Sequence, residues 1–120
     1  MNLEFKRKLP TLQEIKAMYP LDDALAAHKK DTDATLKNIF SGKDNRLLLV
    51  IGPCSADRED AVLDYISRLR RVQEKVADKI VIVPRIYTNK PRTTGDGYKG
   101  MLHQPDPNAD ANMLKGLIAI

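Results

Sequence analysis

Two short apolar runs on either side of a long amphipathic stretch constrain the fold of this chain more than any other feature. The runs, Leu47 to Ile51 and Ile80 to Val83, are wholly apolar and partly β-branched, which is typical of parallel strands covered on both faces. Between them, from Asp57 to Val76, apolar residues recur at intervals of three and four, which predicts a helix. The pattern predicts a βαβ unit and therefore an α/β fold.

A βαβ unit determines where its loops lie. Its two strands run parallel and are usually neighbours, so their carboxyl ends share one edge of the sheet. Cys54 follows the first strand and Arg85 follows the second. We therefore expect both residues at one rim, which is where parallel α/β folds bind their ligands.

The first 45 residues have a different pattern, which predicts a helical extension before an α/β part spanning residues 46–120. Thr11 and Glu14 have the spacing of a capping box at the start of a helix, and Pro20 ends that helix. A second helix begins at Leu21 or at Asp31-Thr32 and runs to Phe40, where Ser41-Gly42 stops it. A last helix begins near Asp110 or Asn112.

The composition favours small anionic ligands over large partners. The chain has 120 residues, enough for one ordinary domain, and 20 Lys plus Arg against 16 Asp plus Glu give a net charge of only +4. Because nucleic-acid binders usually combine denser basic stripes with aromatic residues, we expect no nucleic acid. The longest apolar run is too short for a bilayer, so no membrane contact is expected. A single cysteine is typical of a reducing compartment, which predicts a cytoplasmic location.

The loop after the second apolar run is rich in anion-binding side chains. Between Arg85 and Thr94 it contains three cations, Arg85, Lys90 and Arg92, together with three threonines. Guanidinium and ammonium groups bind phosphate and carboxylate oxygens, and hydroxyls add further donors. A solvated charged loop is the alternative interpretation, and a lone cysteine such as Cys54 is more often a small buried apolar residue than a ligand.

Four motifs resemble the opening of the type I 3-deoxy-D-arabino-heptulosonate-7-phosphate (DAHP) synthases. They are Ile51-Gly52-Pro53-Cys54-Ser55, Pro84-Arg85-Ile86-Tyr87, Lys90-Pro91-Arg92-Thr93-Thr94 and Gly97-Tyr98-Lys99-Gly100. The resemblance implies an N-terminal helical extension followed by the first two βα units of a (β/α)₈ TIM barrel. Such a barrel needs about 250 residues, so it is incomplete in this chain. The loop before Lys99 is one residue longer than in the form of the family known best, and it has Tyr98 in place of Trp.

The resemblance also implies an activity and a set of site residues. The activity is a metal-dependent condensation of phosphoenolpyruvate with erythrose 4-phosphate, the first step toward aromatic amino acids. Arg85 would bind the phosphoenolpyruvate phosphate, Lys90 would lie between the substrates as the catalytic lysine, and Arg92 with Thr93 would bind erythrose 4-phosphate. Cys54 would be one ligand of a divalent ion such as manganese, iron or cobalt.

The other metal ligands of the family, a His, a Glu and an Asp, belong to later strands that this chain lacks. We therefore expect the 120 residues to be inactive alone. The alternatives are a noncatalytic phosphate-binding or regulatory module and an oligomerisation fragment, because the family's N-terminal extension contributes to subunit contacts. The resemblance implies a homo-oligomer.

Overall fold

The computed structural model describes residues 4–5 and 7–120 and confirms the predicted order of elements. The elements are α1 (Leu12–Met18), α2 (Asp23–Phe40), β1 (Leu47–Ile51), α3 (Glu59–Val76), β2 (Ile80–Pro84) and α4 (Met113–Ala119). Residues 1–3 and 6, which belong to the predicted extension, lie outside the described residues. In the part of the chain that the structure describes, no helix is long and apolar enough to cross a membrane.

The two strands pair in parallel, as the βαβ pattern predicts. Leu47 lies opposite Ile80, and Ile51 lies opposite Pro84. At one end of the ladder the Leu47 amide donates to the Lys79 carbonyl at 2.8 Å, and at the other end the Arg85 amide donates to the Ile51 carbonyl at 2.8 Å. The carboxyl ends of β1 and β2 therefore lie side by side, and α3 packs against β2 as the crossover helix.

The helix ends follow local sequence signals. The Thr11 hydroxyl accepts from the Glu14 amide while the Glu14 carboxylate accepts from the Thr11 amide, which confirms the capping box. Asp22 caps α2 by accepting from the Leu25 amide at 2.8 Å, so this helix starts near the first of its two predicted positions. Gly42 follows α2 with a φ of 73°, the left-handed conformation that glycine adopts most readily.

The prediction that both strands are covered on both faces is wrong for these residues. Leu47 is 63% exposed and Val50 57% exposed, and in the described ranges the only buried apolar residues are Ala56 and Met101. The radius of gyration is 17.7 Å, whereas a compact domain of this length has about 14 Å. The physical reason is that the sheet has only two strands and its crossover helix α3 packs against β2, so much of the surface of β1 stays uncovered.

Candidate functional site

The loops that follow β1 and β2 are held together at the rim by backbone contacts. A Cβ atom on Gly52 would collide with the carbonyl oxygen of Arg85, so only glycine allows the two chains to approach this closely. Further along, the amide of the buried Ala56 donates to the Tyr87 carbonyl at 3.0 Å, and its carbonyl accepts from Met101 at 3.1 Å. The rim is therefore a packed junction of three loops.

Lys90 joins the second loop to the first through its side chain. Its Nζ lies 3.0 Å from the Cys54 Sγ and donates to the Ser55 Oγ at 2.9 Å. The backbone of Lys90 is also fixed, because its amide donates to the Lys99 carbonyl at 2.8 Å. The structure thus brings together Lys90 and Cys54, two of the residues predicted from the sequence.

The environment of Cys54 favours its thiolate form. The pKa of this thiol is lowered from its ordinary value, first by the hydrogen bond from Lys90 and then by the positive charge of the same ammonium. The Ser55 hydroxyl and the Arg85 charge lower it further, while partial desolvation opposes them. Because Cys54 is exposed, its sulfur is open to solvent and ligands.

Arg85 lies at the same rim, with its guanidinium turned toward the first loop. Its Nη2 donates to the carbonyls of Pro53 at 2.7 Å and Gly52 at 3.3 Å, and the guanidinium carbon lies 5.3 Å from the centre of the Tyr87 ring. A guanidinium carries five N–H donors, so these contacts orient Arg85 and leave donors for an anion.

Arg92 and Thr93 lie on the part of the loop that leaves the rim. The Arg92 Nε donates to the Tyr98 carbonyl at 3.0 Å, and Thr93 is exposed in the turn that follows. The structure therefore separates the predicted residues into a close group of Cys54, Lys90 and Arg85 and a more open pair of Arg92 and Thr93. The roles assigned to all five stay predictions.

Sequence reasoning assigned no role to Ser55 or Tyr98. Ser55 accepts from Lys90, and the Tyr98 hydroxyl donates to the Gln104 carbonyl at 2.8 Å, which links the glycine-rich loop to the segment after it. The pKa of Tyr98 is raised, first by burial and then by the Asp57 charge. Ser55 adjoins the cysteine in its motif, but nothing in the sequence indicates that the Tyr98 hydroxyl also lies 3.2 Å from the distant Ala56 carbonyl.

Cys54 is a chemically suitable metal ligand, but the described residues do not complete a site. Within residues 4–5 and 7–120, no three His, Cys, Asp or Glu side chains converge to hold an ion. The His103 ring contacts the Asn89 Oδ1 at 3.1 Å and lies on a different loop from Cys54. These residues alone therefore do not fit a divalent ion.

Comparison with known proteins connects this arrangement to one family. Residues 23–117 match the model of the DAHP synthetase I family. The phospho-2-dehydro-3-deoxyheptonate aldolase of Haemophilus influenzae is 42% identical over 99 residues, which cover 82% of this chain and 27% of that protein. The Trp-sensitive phospho-2-dehydro-3-deoxyheptonate aldolase of Escherichia coli is 36% identical over 109 residues, which cover 91% of this chain and 31% of that protein.

A solved structure gives the same connection in three dimensions. The phospho-2-dehydro-3-deoxyheptonate aldolase of Francisella tularensis superposes with a TM-score of 0.87 at 30% sequence identity, covering 98% of this chain and 34% of that one. The chain therefore spans only 27% to 34% of the length of these three proteins.

Proposed function

This chain belongs to the DAHP synthetase I family, and from that membership we propose that it forms one wall of the active site of a DAHP synthase. The proposed reaction condenses phosphoenolpyruvate with erythrose 4-phosphate, giving 3-deoxy-D-arabino-heptulosonate 7-phosphate and inorganic phosphate. The observation that carries the proposal is the contact of Lys90 with Cys54 and Ser55 at the rim that also holds Arg85. The βαβ unit is proposed to be the start of a (β/α)₈ barrel.

In this proposal each of the two substrates is bound by different cationic residues. Arg85 binds the phosphate of phosphoenolpyruvate, because its guanidinium is oriented at the rim by the Gly52 and Pro53 carbonyls. Arg92 and Thr93 bind the phosphate of erythrose 4-phosphate from the open part of the loop. The separation of these groups along the loop suits two phosphates held apart with their reacting carbons between them.

Lys90 is proposed to lie between the two substrates. The enol carbon of phosphoenolpyruvate attacks the aldehyde carbon, water adds at the adjacent carbon, and phosphate leaves by cleavage of the carbon–oxygen bond. The ammonium of Lys90 donates to the aldehyde oxygen as that oxygen gains negative charge, which lowers the barrier. Its existing hydrogen bonds to Cys54 and Ser55 keep it at the rim before substrates arrive.

Cys54 is proposed as one ligand of a divalent ion whose other ligands come from outside the described residues. Its support is the lowered thiol pKa, since thiolate is the form that binds metals.

The proposed enzyme acts in the cytoplasm as a homo-oligomer. The support for association is exposed apolar surface on α2, where Leu25 is 54% exposed and Phe40 79% exposed.

Titration of the ¹⁵N-labelled chain with phosphoenolpyruvate tests the assignment. We expect the backbone amide signals of Arg85 and Lys90 to shift, and Arg85→Ala or Lys90→Met to weaken binding at least tenfold, as loss of a charge-assisted hydrogen bond predicts. Arg71→Ala is the control, because Arg71 is exposed on α3.

Wild-type protein that shows no shift at the rim, or an Arg71 variant that binds as poorly as the rim variants, would contradict the assignment. Phosphate release is measured in parallel and is expected to be absent for this chain alone. A regulatory module would also bind phosphoenolpyruvate without releasing phosphate. The enzyme hypothesis is distinguished from it if an assembly that contains the chain releases phosphate and Lys90→Met abolishes that release.

A further inference from the structure

A short stretch of the glycine-rich loop, residues 97–99, runs beside the loop that carries Lys90 and Arg92. The Lys90 amide donates to the Lys99 carbonyl at 2.8 Å. The Arg92 Nε donates to the Tyr98 carbonyl at 3.0 Å. Two of the cations that the proposed reaction uses are therefore held by neighbouring carbonyls, Lys90 through its backbone and Arg92 through its side chain.

The guanidinium of Arg92 also packs against the backbone of this stretch. A Cβ atom placed on Gly97 would lie 3.8 Å from the guanidinium carbon of Arg92, which is ordinary van der Waals contact. Among the hydrogen bonds of residues 4–5 and 7–120, the Arg92 side chain makes only the one from Nε. Since a guanidinium has five N–H donors, those on Nη1 and Nη2 are left to bind an anion.

The side chain of Tyr98 fixes this stretch to the rest of the rim. Its hydroxyl donates to the Gln104 carbonyl at 2.8 Å and lies 3.2 Å from the Ala56 carbonyl. Because both neighbours are acceptors, only a side chain that carries a donor satisfies this position. Ala56 is buried and belongs to the loop that follows β1. The position of the Tyr98 carbonyl is thus set relative to the loop that carries Cys54.

We propose that Tyr98 is a positioning residue, which sets the place of the Arg92 guanidinium relative to Lys90 and Cys54. Its hydroxyl fixes the loop to the rim, and its carbonyl orients the guanidinium. The distance from Arg92 to Lys90 then determines how long a phosphorylated aldehyde must be for its phosphate to reach one and its aldehyde oxygen the other. The inference rests on the proposed function, in which Arg92 binds the phosphate of erythrose 4-phosphate.

The NMR signal of the Arg92 Nε–H group in the ¹⁵N-labelled chain tests the positioning. Tyr98→Phe keeps the ring and the carbonyl but removes the hydroxyl, so the carbonyl that accepts from Arg92 is no longer fixed. We expect the Arg92 signal to shift in Tyr98→Phe toward the position of an exposed arginine, for which Arg71 on α3 is the internal reference.

Tyr19→Phe is the matched control, because it removes the same hydroxyl from an exposed tyrosine at the end of α1. Its Arg92 signal should stay at the wild-type position. An unmoved Arg92 signal in Tyr98→Phe would overturn the proposal. So would an equal shift in Tyr19→Phe, because the change would then not arise from the contacts of the Tyr98 hydroxyl.

Binding of the two substrates separates positioning from a general loss of structure. We expect Tyr98→Phe to bind erythrose 4-phosphate about fivefold more weakly, the factor that one net hydrogen bond corresponds to, and phosphoenolpyruvate as tightly as the wild type. Arg92→Ala should weaken binding of erythrose 4-phosphate at least about tenfold.

Weaker binding of both ligands by Tyr98→Phe would overturn the inference, because the hydroxyl would then support the whole rim. If Arg92→Ala binds erythrose 4-phosphate weakly and Tyr98→Phe binds it like the wild type, the inference fails and the proposed role of Arg92 stands. Unchanged binding of erythrose 4-phosphate by Arg92→Ala would overturn the proposed function at this residue, and the inference with it.

Discussion

Replacement of Gly52 by alanine should open the rim, because the added Cβ would lie against the carbonyl oxygen of Arg85 far inside the contact limit of 3.0 Å. The oxygen belongs to the backbone and the Cβ is attached rigidly to it, so no rotation of a side chain can make room. The strand ends must separate, which stretches the hydrogen bond of 2.8 Å from the Arg85 amide to the Ile51 carbonyl. Overpacking costs about 1–3 kcal/mol and a lost hydrogen bond about 1 kcal/mol, so we expect a loss of about 2–4 kcal/mol in the free energy of unfolding.

Gly42→Ala provides the control for a change of glycine to alanine without a collision. Gly42 has a φ of 73° with no atom within 4 Å of its added Cβ. The only expected cost is that of holding an alanine in the left-handed conformation, about 1–2 kcal/mol. The assay is urea denaturation combined with hydrogen exchange of the Arg85 amide. If Gly52→Ala were no more destabilising than Gly42→Ala, or left the exchange of the Arg85 amide unchanged, the close approach of the two loops would be refuted.

Three further substitutions test single contacts. Lys90→Met should raise the pKa of Cys54, because the ammonium that stabilises the thiolate is removed. The pH profile of iodoacetamide alkylation should therefore move to higher pH in Lys90→Met and should move less in Lys90→Arg. An unchanged profile in Lys90→Met would contradict the contact. Thr11→Ala removes the cap that the Glu14 amide donates to and should cost about 1 kcal/mol of α1 stability, measured by exchange of that amide. Tyr98→Phe removes the hydroxyl that donates to the Gln104 carbonyl and should lower the free energy of unfolding by about 1 kcal/mol, measured by urea denaturation. An unchanged free energy of unfolding would contradict this contact.

Local and periodic signals made most of the fold predictable from the sequence. The bounds of β1, Leu47–Ile51, are the predicted ones, since a short apolar run between turn residues admits few alternatives. The helix between the strands begins at Glu59 instead of Asp57 because the chain stays extended at Arg58, the residue before the first helical turn. The shared rim of Cys54 and Arg85 followed from the crossover geometry alone.

Contacts between distant residues could not be predicted in the same way. The hydrogen bonds of Gln73 on α3 with the Ile80 carbonyl and the Ile82 amide depend on how the helix is rotated, which hydrophobic periodicity does not determine. The contact of the Tyr98 hydroxyl with the Ala56 carbonyl depends on the path of an irregular loop. Burial was overestimated for a related reason: an apolar strand indicates that some surface covers it, but not that the surface belongs to the same chain.

The rim is better buried than the sheet that supports it. At the rim, hydrogen bonds join three loops, from Ala56 to Tyr87, from Met101 to Ala56 and from Lys90 to Lys99. The two residues that are both buried and apolar in the described ranges, Ala56 and Met101, lie at this junction. The strands, by contrast, leave apolar faces in solvent. Under the proposed function, binding of one phosphorylated ligand should therefore require less of the protein than turnover does, because binding needs only the cations of one wall.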